Sequence, residues 1–324
     1  MPFLAPALRK TRDITEIYWV LIRITIPITI LTEVLSRMGV IKAISPVFEP
    51  IMSLFGLPPA LGLAWLTGML VGIWGAVPLL FTLVPVSSLS LADITVFSAL
   101  ILFAHALPIE QKIIQKAGPG MVITTVLRIV GGMIYAFLLH HLLALTGWLS
   151  EPVNPVWVPI SNTPDWGAYF LGLGETMVWM FVILFVLFWG LELLKATGVL
   201  AWLMKVLSPA LRLAGIRGEA GHLTAVGLFL GISYGGGLLI REAQSGTIPP
   251  RQIFLSCVFM GFAHSVIEDT LVVMALGADV YGVLFGRLAF AVVATGLIAL
   301  LLRRLSDDAF FARMFRVSAL KVGA

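Results

Sequence analysis

The chain contains few charged residues for its length. Only 12% of its 324 residues are Asp, Glu, Lys or Arg, whereas a soluble domain has about 25%. Hydrophobic residues make up 59% of the chain, and its mean hydropathy is +1.03. These values exclude an ordinary soluble protein and predict an all-α integral membrane protein.

Cysteine and catalytic motifs are also scarce. Cys257 is the single cysteine, so an intramolecular disulfide is impossible. The sequence has no hydrolase elbow, phosphate-binding loop or zinc-protease helix motif. We therefore expect neither enzymatic activity nor a cofactor. The net charge of +4 comes from Lys and Arg around the apolar segments, so it predicts membrane orientation rather than a nucleic-acid partner.

Apolar runs long enough to cross a hydrocarbon core of about 30 Å recur along the whole chain. Met1–Thr15 is polar and basic, so we expect no cleavable signal peptide and interpret the first run as the insertion signal. The runs lie at about 16–36, 60–86, 93–115, 120–146, 172–194, 219–243, 252–276 and 281–302.

The chain repeats itself at a constant offset of 159 residues. Residues 33–128 align without a gap with residues 192–287, and rare polar residues fall in register. Apolar composition alone does not place Glu, His and Arg at equal positions, so the repeat indicates a duplication. Matched residues include Glu33 with Glu192, Gly72 with Gly231, His105 with His264, and Arg128 with Arg287.

The repeat defines four regions. We predict a first repeat at 1–146 with a basic amino terminus, a Pro-rich linker at 147–171, a second repeat at 172–304 and a basic tail at 305–324. Each repeat has a long helix, a short amphipathic Pro-bearing segment (40–56; 199–215), a Gly-rich stretch (59–91; 218–250) and two further helices. Glycines in the middle of each Gly-rich stretch indicate a broken helix or a re-entrant hairpin.

Positive charge predicts the orientation of the repeats. With three full crossings in each half, the basic termini fall on the cytoplasmic side and the linker, which lacks Lys and Arg, falls outside. An odd number of crossings predicts two inverted repeats, as in many secondary transporters.

The sequence GISYGGGLLIREA at 231–243 and the following AHSVIEDT at 263–270 resemble the bacterial nucleoside recognition, or gate-domain, membrane proteins. That domain also occurs in concentrative nucleoside transporters and in ferrous iron transporters. The resemblance covers most of residues 14–304, and the first half (GIWGAVPLL, AHALPIEQ) looks like a diverged copy. It implies a multi-pass protein of the bacterial inner membrane whose hairpin tips meet a substrate near the midplane.

Polar residues in the apolar segments form the predicted substrate site. His105 and His264 occupy equal repeat positions inside the predicted helices, and each is followed five residues later by an acid. Ionisable groups in lipid are costly unless they are paired or face water. The expected site residues are His105, Glu110, Ser233, Tyr234, Gly235, Gly236, Gly237, His264, Glu268 and Asp269.

Two other groups of residues have different expected roles. Glu33, Arg128, Glu192 and Arg287 are interpreted as structural ion pairs that hold each half together. Cys257, His264 and Glu268 are spaced i, i+7 and i+11, which on a continuous helix would offer a metal site on one face. A buried structural histidine and a small core cysteine are the alternatives.

The leading functional hypothesis is a transporter or permease for a small polar solute, nucleoside-like by resemblance. Divalent metal transport through His, Glu and Cys is the second hypothesis, and a non-transporting membrane assembly or sensor is the third. A polar cavity lined by both histidines would favour transport, whereas a core of packed Leu and Phe would favour the third. The expected partners are the lipid bilayer and a small polar solute, with a homo-oligomer left open.

Overall fold

The computed structural model describes residues 4–155 and 165–316, and these residues form an all-α protein. Tyr234, one of the predicted site residues, has a side chain that lies outside the described part. The helices are α1 Leu4–Arg37, α2 Val40–Ile44, α3 Glu49–Met52, α4 Leu61–Val71, α5 Ile73–Leu83, α6 Leu91–Phe103, α7 Leu107–Lys116, α8 Met121–Thr146, α9 Trp166–Ala196, α10 Val199–Leu213, α11 Glu219–Gln244, α12 Pro250–Phe262, α13 Glu268–Ala275, α14 Arg287–Arg303 and α15 Asp307–Arg313.

Among the described residues, five helical stretches are long and apolar enough to cross a membrane. They confirm the predicted multi-pass membrane protein. The remaining predicted full span, 252–276, is divided between α12 and α13. The five stretches are Ile14–Arg37, Leu91–Lys116, Met121–Thr146, Trp166–Leu194 and Tyr281–Arg303.

The outer helices carry apolar side chains on their exposed faces. On α8, for example, Val126, Val130 and Ile134 are exposed, and α9 exposes Trp179 and Val186. In water such continuous apolar surfaces would be unfavourable, whereas lipid tails cover them at no cost. Some polar residues of these helices are buried instead, among them Thr124 and Arg128 of α8 and Thr176 of α9.

Both Gly-rich stretches fold back on themselves. A Cβ atom built on Gly68 would lie 3.1 Å from the Cβ of Ala76, and one on Gly235 would lie 4.0 Å from the Cα of Gly227. Residues eight apart in a straight helix are separated by about 12 Å, so each stretch is a helical hairpin. We call residues 61–83 hairpin one and residues 219–244 hairpin two.

A glycine forms the tip of each hairpin. Gly72 has φ 124° and ψ 177°, and Gly231 has φ 79° and ψ 163°. Only glycine adopts this region without strain because it has no Cβ. The glycine at the repeat position thus sets where each hairpin turns.

Equivalent residues of the two halves touch each other. The Tyr18 hydroxyl donates to the Met177 carbonyl over 2.8 Å, and the rings of Phe103 and Phe262 are 5.9 Å apart. Both pairs are separated by the repeat offset of 159. Contacts of this kind are expected where two halves meet on a two-fold axis. The inversion of the halves across the membrane stays a prediction.

The hairpin tips provide the first test. We expect Gly231→Ala to lower the free energy of unfolding of the detergent-purified protein by about 1–3 kcal/mol, and with it the unfolding temperature, because alanine is strained in this conformation. Its Cβ would also lie 2.2 Å from the Ser265 hydroxyl oxygen. Gly174→Ala is the matched control, since Gly174 lies inside α9 with open space around it. Equal unfolding temperatures for the two variants would contradict the hairpin.

Candidate functional site

Two helix breaks position the predicted histidines. The sequence predicts His105 and His264 inside continuous helices, and this prediction is wrong. Helix α6 ends at Phe103 and α12 ends at Phe262, so each histidine lies in the segment that follows a helix end. One residue after each histidine the chain turns through a left-handed conformation, at Ala106 (φ 47°) and Ser265 (φ 46°).

Two buried arginines bind the carbonyl groups that these breaks expose. The Arg128 guanidinium donates to the carbonyls of Phe103 (2.8 Å) and His105 (3.2 Å). Arg287 repeats both bonds with Phe262 (2.9 Å) and His264 (3.1 Å). Carbonyls at a helix end lack partners within the helix, and in a membrane each unsatisfied group costs several kcal/mol. The arginines therefore stabilise the breaks.

This role differs from the predicted ion pairs. Glu33 binds Arg37, one helical turn away, with a nitrogen-to-oxygen distance of 2.6 Å. Arg128 binds Glu110 over 2.7 Å, so it does not pair with Glu33. In the second half Arg287 donates to backbone carbonyls, and Glu192 lies in α9. Arg128 and Glu33 thus both form ion pairs, but with Glu110 and Arg37 as partners, and both arginines also satisfy the peptide groups of the broken helices. The role of Glu192 stays a prediction.

The two histidines contact each other at the centre of the molecule. The Nε2 atoms of His105 and His264 are 3.1 Å apart, and both side chains are buried. Each Nδ1 atom faces a backbone carbonyl four residues earlier, that of Ile101 (3.0 Å) or Met260 (2.8 Å). A carbonyl oxygen only accepts hydrogen bonds, so both Nδ1 atoms carry hydrogen. Each histidine therefore has its Nε2 atom left to bind a partner, and the two Nε2 atoms face each other.

Two equivalent acids flank the histidine pair in different ways. Glu110 Oε2 lies 3.3 Å from His264 Nε2, and Asp269 Oδ2 lies 3.4 Å from His105 Nε2. Glu110 also reaches Arg128, whereas Asp269 Oδ2 is buried without a hydrogen-bond partner. Aspartate is one methylene shorter than glutamate, which accounts for the difference between the halves. The carboxylate of Asp269 is thus available to a ligand.

A cavity of about 170 Å³ lies beside this cluster. Its wall contains the tip of hairpin one, Ser233 of hairpin two, and the residues that follow both helix breaks. The two hairpins and the two breaks therefore meet at one place. The polar lining residues are Thr25, His105, Glu110, Ser233, Ser265, Glu268 and Asp269.

The other predicted residues lie in different places. The Ser233 hydroxyl is 3.3 Å from Glu110 Oε1, and Glu268 lines the cavity. Gly235, Gly236 and Gly237 do not form the tip of hairpin two, because that tip is Gly231. They lie in its returning limb, where a Cβ on Gly236 would come within 2.9 Å of Ile113. Gly236 thus permits close packing against α7, whereas a Cβ on Gly237 would meet open space.

Cys257 is not grouped with His264 and Glu268 as a metal site. The break between α12 and α13 separates it from Glu268, so the spacing of i, i+7 and i+11 does not describe one helix face. Among the described residues, the one group of three with suitable ligand atoms is His105, His264 and Asp269, whose atoms lie within 4.8 Å of one another. Cys257 is a buried residue of α12.

The site residues expected from the sequence did not include Ser265 or any residue of hairpin one, such as Trp74. Hairpin one is nearly apolar, so composition gave no sign that it forms a wall of the cavity. The repeat held the signal, because Gly72 occupies the position of Gly231 and Ala106 that of Ser265. Aligning the two halves residue by residue would have identified both Ser265 and the tip of hairpin one as site positions.

Together the fold and the cluster define a multi-pass α-helical membrane protein with a transporter-like core. Residues 177–279 match the family model Gate, described as nucleoside recognition, and this match confirms the resemblance predicted from the sequence. The chain is also 26% identical over 288 residues to an uncharacterized membrane protein of Bacillus subtilis (strain 168), YvoD, covering 87% of this chain and 90% of that protein. No solved structure matches significantly.

The role of the arginines can be measured with a double-mutant cycle. We expect Arg128→Gln to lower the free energy of unfolding by about 3–5 kcal/mol, because it leaves Glu110 buried without its partner. Adding Glu110→Gln should restore part of the loss, whereas Arg128→Lys should give an intermediate value. Arg304→Gln, at an exposed arginine, is the control. Strictly additive effects of the two site substitutions would show that Arg128 and Glu110 do not act as a pair.

Proposed function

We propose that this protein transports a small polar solute through the cavity between its two hairpins. The observation that supports this function best is the buried cluster of two histidines and three carboxyl residues beside that cavity. Buried ionisable groups at membrane depth are rare and typical of substrate or ion pathways. The cavity also argues against the assembly or sensor hypothesis, which expects a core filled with Leu and Phe. His105 lines the cavity wall, and His264 contacts His105 from behind it.

The charge of the cluster favours a solute that is cationic or donates hydrogen bonds. Glu110, Glu268 and Asp269 outnumber the two buried arginines by one acidic group. Arg128 donates to carbonyls and to Glu110, and Arg287 donates to carbonyls, although Arg287 Nη1 is buried without a hydrogen-bond partner. Neither arginine lines the cavity, whose polar wall is formed mainly by carboxyl and hydroxyl groups. A bound solute would supply the missing partners.

A nucleoside-like solute requires the cavity to widen. The present volume of about 170 Å³ is below the roughly 300–1,000 Å³ of typical small-molecule sites. Because the hairpin tips form one wall, outward movement of a hairpin would enlarge the cavity and open it to one side of the membrane. The positive-inside pattern supports a cytoplasmic location for both termini in a bacterial inner membrane.

Ligand-induced stabilisation tests the solute site. We expect a solute from a screen of nucleosides and nucleobases to raise the unfolding temperature of the purified protein, since a ligand of the native state stabilises it by mass action. His264→Ala and Glu268→Gln should abolish that shift while the protein stays folded. His141→Ala and Glu151→Gln change the same residue types at exposed positions and should retain it.

We expect proteoliposomes that contain the parent protein to take up the solute, and those that contain His264→Ala or Glu268→Gln to lose this uptake. Undiminished binding and uptake in both site variants would overturn the assignment. Glu33→Gln provides a further comparison, because Glu33 lies outside the cavity wall and contacts Arg37. This change should lower the unfolding temperature and leave the ligand-induced shift in place.

A divalent transition-metal cation is the second candidate, and the histidine geometry favours it. Two neutral rings whose Nδ1 atoms carry hydrogen cannot hydrogen-bond each other through Nε2, because both Nε2 atoms are acceptors. The separation of 3.1 Å therefore requires either a proton or a metal ion between them. Asp269 Oδ2, which has no hydrogen-bond partner, is a third ligand atom nearby.

Two of the three distances between the ligand atoms are close to those of a tetrahedral site, whereas the set as a whole lies within 4.8 Å, so the site would have to contract around an ion. Ligand atoms about 2.0–2.1 Å from zinc lie roughly 3.3–3.4 Å from one another. The distances from His105 Nε2 to His264 Nε2 and to Asp269 Oδ2 are 3.1 and 3.4 Å. Imidazole and carboxylate ligands suit zinc, cobalt or iron better than calcium or magnesium. The fourth position would face the cavity, where water or Glu268 could fill it.

Cobalt(II) is a spectroscopic probe for this candidate. We expect Co²⁺ to give visible absorption bands with the parent protein, and Zn²⁺ to remove them by competition. His105→Gln and Asp269→Asn should weaken Co²⁺ binding at least tenfold, whereas His141→Gln and Cys257→Ser should not. Normal Co²⁺ binding by His105→Gln would reject the cation site and leave the solute proposal to the nucleoside screen.

A further inference from the structure

A second cavity shares no lining residue with the cavity beside the histidine cluster. It has a volume of about 610 Å³ and is formed between α10 and the first turns of α11. This volume lies within the range of small-molecule sites. The lining residues are Met204, Lys205, Ser208, Leu211, Arg212, Ile216, Arg217, Gly218, Gly221, His222 and Ala225. We call this cavity the basic pocket.

The basic pocket carries positive charge without acidic residues in its lining. Lys205, Arg212 and Arg217 are exposed on its wall, and Ser208 adds a hydroxyl group. Within the described ranges 4–155 and 165–316, no ion pair is found for these three basic side chains. Three uncompensated cations around one cavity favour an anionic ligand.

The backbone adds to this positive potential. Helix α11 begins at Glu219, and its N-cap, Gly218, makes no side-chain cap hydrogen bond. Gly218 and Gly221 both line the pocket, so the amino end of α11 lies at its edge, although the Gly221 N–H itself donates to the Gly218 carbonyl. The amino end of a helix carries partial positive charge and binds phosphate groups readily.

The surroundings of the pocket are those of a membrane interface. Helix α10 exposes Trp202, Val206 and Leu213, although it also carries two of the basic residues. Met204 and Leu211 form apolar parts of the pocket lining. A ligand that joins a phosphate to an apolar tail would satisfy both surfaces. Phospholipids have this structure, and basic pockets on the cytoplasmic side bind anionic headgroups.

The basic residues are not part of the repeated scaffold. At the repeat offset, Lys205, Arg212 and Arg217 correspond to Pro46, Ser53 and Pro58. The equivalent segment of the first half, which is divided into shorter helices, therefore lacks basic residues at these three positions. A role in holding the fold would require them in both halves, so their presence in one half indicates a local function.

We propose that the basic pocket binds the phosphate headgroup of an anionic phospholipid. Lys205, Arg212 and Arg217 would contact the phosphate oxygens, and Met204 and Leu211 would contact the start of the acyl chains. A soluble phosphate ester offers the same anion without the tail, and the experiment separates the two sources. The proposal is independent of which solute the histidine cluster binds.

The test compares ligands that differ in charge and in tail. Protein purified in neutral detergent is titrated with phosphatidylglycerol, phosphatidylcholine and glycerol 3-phosphate, and binding is followed by thermal shift and native mass spectrometry. We expect phosphatidylglycerol to bind most tightly. The variant Lys205→Gln/Arg212→Gln/Arg217→Gln should bind it about a hundredfold more weakly, given the contribution of each basic residue near an anionic lipid.

A control variant removes the same number of charges elsewhere. Lys112→Gln/Arg304→Gln/Arg313→Gln changes three exposed basic residues outside the pocket and should bind phosphatidylglycerol like the parent. Both triple variants should unfold at the parent's temperature without lipid, because all six side chains are exposed. Equal losses in the two variants would overturn the proposal in favour of general surface charge. Equally tight binding of glycerol 3-phosphate would overturn the proposal of a lipid ligand and identify a soluble phosphate ester as the source of the phosphate.

Discussion

The capping of broken helices by buried arginines is the interaction on which the rest of the structure depends. Ending α6 and α12 in the interior exposes carbonyl groups that lipid cannot satisfy. Arg128 and Arg287 supply donors at both breaks, at nearly equal distances. Without those donors the chain would favour continuous helices, and the histidines would be carried on regular helix faces. The breaks bring His105 and His264 into contact, so the cluster is a consequence of the capping.

The two halves share a scaffold, and the differences between them create the chemistry. Glu110 reaches Arg128, whereas Asp269 at the equivalent position is too short to form that bond with Arg287. One half therefore has a closed ion pair, and the other has a carboxylate open to a ligand. Such a difference would be absent from a perfectly symmetric duplication. Function is best sought where the repeat departs from symmetry, as in the basic pocket between α10 and α11.

Much of this fold could be predicted from the sequence, because composition and the repeat are direct consequences of a duplicated membrane protein. The hairpins were foreseen from glycines at depth, and a common site for His105 and His264 from their equal repeat positions. The capping of the helix breaks by arginines was not predicted, because an acidic side chain is the obvious partner for a buried arginine. Ala106 and Ser265 gave little local signal for a left-handed turn, because neither is glycine or asparagine. Such a turn depends on tertiary contacts that one sequence does not display.

The side-chain hydrogen bonds of the hairpin tips are longer than those of the cluster that the tips cover. Ser233 of hairpin two reaches Glu110 over 3.3 Å, and the Thr25 hydroxyl reaches the Trp74 carbonyl of hairpin one over 3.4 Å. Both exceed the usual length of about 2.7–3.0 Å, whereas the bonds of Arg128 to Phe103 and Glu110 are 2.8 and 2.7 Å. Each hairpin is also held to a break by a backbone bond of ordinary length. The Ala106 N–H donates to the Gly68 carbonyl in one half, and the Val266 N–H donates to the Leu228 carbonyl in the other, both over 3.0 Å. Outward movement of a hairpin would therefore break this backbone bond, whereas the arginine caps, which bond the breaks themselves, could stay in place.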